Sequence, residues 1–190
     1  MRHPLVSASL AALLLAVAAA PTTAAPRDDV IQATSRLAGA SSYVIHVDSP
    51  QAGMAGSMEL QYVAPDRYRM MIPGGPVQTI IGNQAYMEIA GRTMRVPLPA
   101  GSLDKMRDQA RISETQDNAR IESLGSDMLD GKPTTKYRIV HAGQREAEAL
   151  LWVDGKGWPL QMQVDGDDGA TTTMRYSRFN DPTLVIAAPD

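Results

Sequence analysis

Few residues of this sequence have the types and spacing that chemistry requires. After residue 25 there are two histidines, His46 and His141, and the 190-residue chain contains no cysteine. A structural zinc site needs cysteine, histidine or carboxylate ligands at characteristic spacings, which are missing here. His46 falls on the polar side of a predicted strand beside Asp48, so we interpret both histidines as solvated surface side chains. The sequence predicts no metal site.

Two short patterns are similar to catalytic or metal-binding motifs. Ser102-Leu-Asp-Lys105 matches the S-x-x-K pattern of penicillin-recognising enzymes, but the accompanying S-D-N and K-T-G elements are absent, and Ser102 is well placed to cap a helix. The run from Asp165 to Gly169 is similar to the start of a calcium loop. Tyr176 stands where that loop needs a bidentate glutamate, which favours a hairpin turn.

Trp152 and Trp158 are the two tryptophans of the chain. They can stack on a ligand ring or pack a turn, and their positions in a strand and beside Pro159 favour packing. Two scattered histidines supply no set of nucleophile, base and orienting acid, so a hydrolase is the weakest hypothesis. We expect a protein that is not an enzyme, with no catalytic residues and no cofactor.

Hydrophobic periodicity predicts mainly antiparallel β structure after one helix. Residues 27–39 fit an amphipathic helix, with Asp28 and Asp29 in its first turn and Gly39 as its stop. Beyond it, apolar and polar residues alternate in short segments separated by turn signals, which predicts half-buried strands. The segments are 42–48, 57–62, 67–72, 77–81, 85–89, 94–98, 121–128, 135–140, 147–153, 160–164 and 171–176. Residues 101–111 fit a second, short helix.

Methionine is concentrated on the apolar side of these predicted strands, whereas the chain has a single phenylalanine. Methionine is flexible and polarisable, so it fills irregular space and adapts to variable apolar partners. A uniquely packed core usually prefers leucine, isoleucine, valine and phenylalanine. The pattern therefore fits either a methionine-rich core or an apolar binding surface. The methionines concerned are Met58, Met70, Met87, Met94, Met162 and Met174.

The first 25 residues have the layout of a secretory signal, with Arg2, an apolar run over residues 5–20 and a small-residue end. We expect cleavage near Ala24, so that residues 26–190 form one exported domain. The apolar run is too short to span a membrane, and no cysteine is available for lipid attachment. The net charge is -3 with the signs interspersed, so nucleic acid is not an expected partner.

Several segments, in the family's order, resemble the LolA/LolB-like superfamily of periplasmic carriers. In the front half these are LQYVAPDRYRM at 60–70 and IGNQAYM at 81–87. In the back half the resemblance is to LppX/LprG-like lipid carriers, through LGSDMLDGKPTTKY at 124–137, LWVD and GWPL within 151–160, and TMRYSRFNDP and IAAP within 173–189. Together these segments span most of the chain after the signal.

The resemblance implies an α+β fold that is mainly antiparallel β. The sheet would be a curved, incomplete β-barrel, with the N-terminal helix and a lid helix at 101–111 covering its concave face. That face would enclose a cavity for acyl chains. The expected ligand-binding residues are Met58, Leu60, Tyr62, Met70, Ile72, Met87, Ile89, Met94, Leu103, Met106, Met162 and Met174.

The function implied is that of a soluble, monomeric periplasmic carrier or binding protein for a lipid or a lipidated protein. The alternative is an envelope signalling or scaffold module that uses the same fold to bind a protein partner, such as an envelope membrane protein. In the lipoprotein carriers an arginine before the proline of the front motif holds the lid. Ala64 occupies that position here, and Arg67 and Arg69 are the candidates to replace it. A wide apolar cavity would favour the carrier.

Overall fold

A computed structural model describes residues 25–50, 56–89, 91–99, 101–102, 119–141, 147–166 and 169–189. The helix α1 comprises Pro26–Ala38, as the periodicity predicts. Proline at its first turn removes a donor that has no partner there, and two aspartates follow in the same turn, where negative charge stabilises the helix dipole. The helix ends at Ala38 and is capped by Gly39, whose backbone N–H donates to Ser35 O at 3.0 Å.

Eleven strands follow within the described ranges, and together they form a single antiparallel sheet. They are Ser42–Asp48 (β1), Ser57–Val63 (β2), Arg67–Met71 (β3), Val77–Ile81 (β4), Gln84–Ile89 (β5), Arg92–Pro97 (β6), Ala119–Leu129 (β7), Lys132–His141 (β8), Ala147–Asp154 (β9), Pro159–Asp165 (β10) and Thr171–Ser177 (β11). Strands β1 to β6 form one meander and β7 to β11 a second. The two meanders join where β1 pairs with β11.

The sheet is curved but does not close, and β6 and β7 form its two edges. Bulges between Pro159 and Gln161 and between Ser123 and Gly125 add local twist to the second meander. Gly125 has a φ of +91°, which a residue with a side chain rarely adopts. This open, curved sheet with one helix confirms the predicted incomplete barrel.

Helix α1 covers the concave side of the second meander. Val30 and Ala33 are fully buried, in a cluster with residues of β7 to β11 that include Leu151, Met162 and Tyr176. At the start of the helix the Arg27 guanidinium donates to Ala119 O at 3.3 Å. This half of the concave face is therefore packed as an ordinary core.

The last described residues, 178–189, cross to the convex side of the first meander. The Asp181 N–H donates to Ser42 Oγ at 2.8 Å, and the Arg67 guanidinium donates to Ile186 O at 2.7 Å. Ile186 is fully buried, as is most of Leu184. The C-terminal segment therefore covers β1 to β3 on the face opposite the helix.

The predicted strands are confirmed, with shifts in the ends of β6, β7 and β8, the last of which begins at Lys132, three residues before the predicted start. Strand β6 begins at Arg92, two residues before the predicted start, because Ile89 pairs directly with Arg92 across the turn at Gly91. Strand β7 extends to residues 119–129 because it pairs with the full length of β8. Of the predicted second helix only Gly101 and Ser102 lie among the described residues, and the predicted signal segment lies outside them. No helix in the described chain is both long and apolar enough to cross a membrane.

Candidate functional site

Strand register places the apolar side chains of β1 to β6 in three rows across the concave face. Residues directly opposite each other in neighbouring strands point to the same side, so each row can be read across the strand pairs. The tyrosine row contains Tyr43, Tyr62, Tyr68, Ile80, Ala85 and Val96. The methionine row contains Ile45, Leu60, Met70, Gln78, Met87 and Met94. The rim row contains Val47, Met58, Ile89 and Arg92.

The tyrosine row closes one end of the concave face. The ring centroid of Tyr62 lies 4.8 Å from that of Tyr43 and 5.0 Å from that of Tyr68, and all three side chains are buried. Leu37 of the helix, Leu98 and Phe179 pack against this cluster. The tyrosine row therefore forms a packed floor.

The methionine and rim rows are open by comparison. Met58, Met70 and Met87 are half-buried, whereas Ile89 is 45% and Met94 50% exposed. From floor to rim the face extends about 13 Å along the strands, and from β1 to β6 about 24 Å across them. An exposed apolar surface of this kind is typical of a site that binds something. We call it the concave cleft.

The cleft brings together most of the residues predicted to bind a ligand. Those at strand positions are Met58, Leu60, Tyr62, Met70, Met87, Ile89 and Met94, and Ile72 follows β3 at the rim, half-buried. Met162 is not part of the cleft: it is 6% exposed and packs in the cluster beneath α1. Met174 packs against the same cluster but lies directly opposite Val47 of the rim row, at the border between this core and the cleft. Leu103 and Met106 lie outside the described residues, and their role stays a prediction.

Polar side chains are scarce on this part of the face. Among the strand residues of β2 to β6 that the structure describes, Gln78 is the polar member of the methionine row and Arg92 the charged member of the rim row. Alternation within one strand does not identify these two residues. Their apolar neighbours lie on adjacent strands, and only the pairing of the strands shows them. Gln78 stands opposite Met70 and Met87.

Arg67 and Arg69 do not replace the missing lid arginine, and that expectation is wrong. Both alternate with the concave residues Tyr68 and Met70, so they point to the convex side. Arg67 holds the C-terminal segment, and Arg69 lies 3.9 Å from Glu88. Neither side chain faces the cleft that a lid would cover.

A shallow groove of about 370 Å³ lies under the C-terminal segment on the convex side. Val63, Arg67, Pro182, Leu184 and Val185 are among the residues that line it. Sequence reasoning did not find this groove, because it depends on where the last residues return to the sheet. The sheet separates it from the concave cleft.

Two tyrosines under α1 have strongly perturbed acidity. Burial raises the pKa of Tyr176 to about 12. Burial, followed by the hydrogen bond and the charge of Asp29, raises the pKa of Tyr137 to about 12, since its hydroxyl donates to Asp29 Oδ2 at 2.8 Å. Both groups remain neutral at physiological pH, which suits a structural role beneath the helix.

The tryptophans and the predicted turn have structural roles. Trp152 donates its indole N–H to Asp127 at 2.8 Å, and Trp158 stacks on Phe179 with 4.4 Å between ring centroids. The packing interpretation is therefore confirmed. Strands β10 and β11 pair as neighbours in a hairpin, as expected, and between them the Gly166 N–H donates to Ala170 O at 2.8 Å.

His46 is a surface side chain, as predicted, 47% exposed and 3.4 Å from Asp48. The side chain of His141 lies outside the described part of the structure. Across the described ranges no three histidine or acidic side chains converge as metal ligands would.

No protein-family model matches the sequence, and no curated protein is significantly similar to it. Solved structures do match. The Mycobacterium tuberculosis lipoprotein LppX superposes with a TM-score of 0.63 at 15% identity, covering 85% of this chain and 98% of LppX. LprF from Mycobacterium bovis superposes with a TM-score of 0.62 at 15% identity, covering 85% of this chain and 96% of LprF.

The chain has the fold of LppX and LprF. The LolA superfamily protein NE2245 from Nitrosomonas europaea aligns more loosely, with a TM-score of 0.37 at 10% identity over 86% of this chain and 96% of that protein. The superpositions on LppX and LprF confirm, at the level of the fold, the resemblance that the sequence segments indicate.

Proposed function

We propose that this protein is a non-enzymatic carrier or binding protein that holds an acyl chain in the concave cleft. The observation that carries the proposal is the open methionine row above a packed tyrosine floor. Met70 and Met87 are half-buried and Met94 is half-exposed, although all three lie on the side of the sheet that faces the helix in the second meander. The sequence resemblance to lipid carriers supports the same ligand class, a lipid or a lipidated protein.

Hydrophobic transfer supplies enough free energy for this role. Each buried methylene contributes about 0.8 kcal/mol, so eight methylenes in the cleft contribute about 6 kcal/mol before the cost of association. That range suits a carrier, which must release its ligand as well as bind it. The methionines can adjust to chains of different shape because their side chains are unbranched and flexible.

Two other faces of the described sheet are covered by contacts within the protein. In the second meander the concave side is filled by Val30, Ala33 and the residues packed on them. On the convex side of the first meander the C-terminal segment covers β1 to β3, and Asp48 of β1 pairs with Arg175 of β11 at 2.9 Å. These contacts favour the concave cleft as the binding surface.

We also propose that the protein works outside the cytoplasm, in the periplasm, after removal of residues 1–25. The predicted secretory signal and the resemblance to periplasmic carriers support this location. In that setting the ligand would be a component of the envelope.

A matched pair of substitutions tests the acyl-binding proposal. Met70 and Met71 are neighbours in β3, but Met70 lies in the methionine row and Met71 on the convex side opposite Glu59. Met70→Asp places a charge in the cleft and should weaken binding of a fluorescent fatty-acid probe at least tenfold, because a carboxylate is costly to bury beside an acyl chain. Met71→Asp should leave the affinity of the probe within about twofold.

Both variants are checked by circular dichroism and thermal unfolding, so that loss of the fold is not read as loss of binding. Equal weakening by the two substitutions, or no binding of acyl probes by the wild type, would contradict the proposal.

Protein-partner binding is the second candidate function, and one observation favours it. Every residue of β6 is exposed, with Val96 at 47%, and β6 is an edge of the sheet. An exposed edge strand can pair with an extended segment of another protein. A wild type that binds no acyl probe but protects the β6 amides from exchange when an envelope protein binds would support this function instead.

A further inference from the structure

Among the strand residues that the structure describes, the rim row contains one arginine beside apolar side chains. Arg92 is the first residue of β6 and lies directly opposite Ile89. Met94 and Val96 follow on the same side of β6, whereas Thr93 and Arg95 point to the convex side. Arg92 therefore stands at the open end of the concave cleft, farthest from the tyrosine row.

The other arginines in strands β1 to β6 point to the convex side, where each has a polar or charged neighbour. Arg67 donates to Ile186 O at 2.7 Å, Arg69 lies 3.9 Å from Glu88, and Arg95 donates to Gln84 at 2.9 Å. Within the described residues Arg92 has no such partner, and its side chain is exposed. Its guanidinium has five N–H donors and a permanent positive charge, which suit a carboxylate or a phosphate.

No acidic side chain on the concave side offsets this charge among the strand residues described for β1 to β6. Glu59 and Glu88 alternate with concave residues and point to the convex side, as does Asp48. Asp48 is bound there by Arg175 at 2.9 Å. Among these strand residues, the charge at the rim of the cleft is therefore that of Arg92.

The two ends of the cleft therefore differ in chemistry. At one end are packed tyrosines, in the middle are methionines with the single amide of Gln78, and at the open end is Arg92. We propose that the ligand is an anionic lipid, with its acyl chain over the methionine row and its head group beside Arg92. This inference rests on the proposed acyl-binding function and adds to it the charge and the orientation of the ligand.

The expected effect of Arg92 is modest because the side chain is exposed. An ion pair between exposed groups contributes less than about 1 kcal/mol to the free energy of binding. We therefore expect about a three- to fivefold preference for the anionic ligand. The preference should shrink as the salt concentration rises to about 0.5 M, because exposed charges are screened. Binding that rests on the acyl chain alone should not weaken with salt.

The test compares two probes on three proteins near pH 8, where a free carboxyl is ionised. The probes are a fluorescent fatty acid and its methyl ester, which share the same chain and fluorophore. The proteins are the wild type, Arg92→Gln and Arg95→Gln. Arg95→Gln is the matched control, because it removes the same charge from the same strand on the convex side.

We expect the wild type and Arg95→Gln to bind the acid about three- to fivefold more tightly than the ester, and Arg92→Gln to bind both equally. Equal binding of acid and ester by the wild type, or an equal loss of preference in both variants, would overturn the anionic-lipid inference while leaving acyl binding intact. Failure of the wild type to bind either probe would overturn the acyl-binding proposal itself and this inference with it.

Discussion

Replacing one methionine of the cleft and one of the core by a larger side chain should lower Tm by different amounts. Met87 lies in the open methionine row, whereas Met162 is buried beneath α1 with Leu151 and Tyr176. Extra volume in a close-packed core typically costs about 1–3 kcal/mol. For a chain of this size each kcal/mol lowers Tm by about 2–4 °C, so Met162→Trp should lower Tm by about 2–12 °C.

Met87→Trp should behave differently because its side chain has open space on one side. We expect its free energy of unfolding to stay within about 0.5 kcal/mol of the wild type. The indole would occupy part of the cleft and displace two or three methylenes of a ligand. At about 0.8 kcal/mol each, this is about 2 kcal/mol, or roughly a thirtyfold loss of affinity for a fatty-acid probe.

The assay is thermal unfolding followed by circular dichroism, together with a fluorescence titration of the probe. Met71→Trp is the control, because it adds the same ring to the convex side. If Met87→Trp unfolds at as low a temperature as Met162→Trp, the methionine row is packed core and the cleft is not a binding surface. If Met87→Trp is stable and binds the probe as the wild type does, the acyl chain lies elsewhere.

Two further predictions concern stability. Arg67→Ala should lower the free energy of unfolding by about 1.5–3 kcal/mol, because it removes the charged hydrogen bond to Ile186 O. It should also expose residues 184–189 to carboxypeptidase. Arg67→Lys should be intermediate in both measurements. Undiminished resistance of the C-terminus would contradict the contact. In the folded protein the pKa values of Tyr137 and Tyr176 are raised to about 12. In the unfolded chain tyrosine has a pKa of about 10, so the unfolded state loses these protons first as the pH rises. The free energy of unfolding should therefore fall between about pH 10 and pH 12. Tyr137→Phe should reduce the slope of unfolding free energy against pH over that range, and a flat profile in the wild type would refute the assignment.

The strands could be predicted from sequence because each one shows its own alternation. Tyr43, Ile45 and Val47 repeat every second residue, and half-burial of a strand requires that period. What alternation does not reveal is which half of the sheet a helix covers. Met87 and Met162 have equivalent local patterns, yet Met162 is buried because α1 lies over β10 and Met87 remains in the cleft.

The other differences between the predicted and the observed roles of residues arise from contacts between strands and segments that are distant in sequence or set by strand register. Arg67 was a candidate to hold a lid because it follows the position of the missing arginine, but the phase of β3 turns it toward the C-terminal segment. The role of Arg92 could not be predicted from sequence, since a single arginine at the start of a strand has no local signature. Its position at the cleft rim depends on the register of β5 with β6.

The order of strands in the sheet also bears on how the two halves of the molecule hold together. Each meander is built from neighbours in sequence, and the pairing of β1 with β11 joins residues more than a hundred positions apart. The second meander has a helix packed on it, whereas the outer strands of the first have little buried side-chain volume beyond the tyrosine row. Regions with few buried apolar contacts open at lower free-energy cost than the core. A ligand that fills the cleft would supply those missing contacts, so amide exchange in β4 to β6 should slow far more on binding than exchange beneath α1.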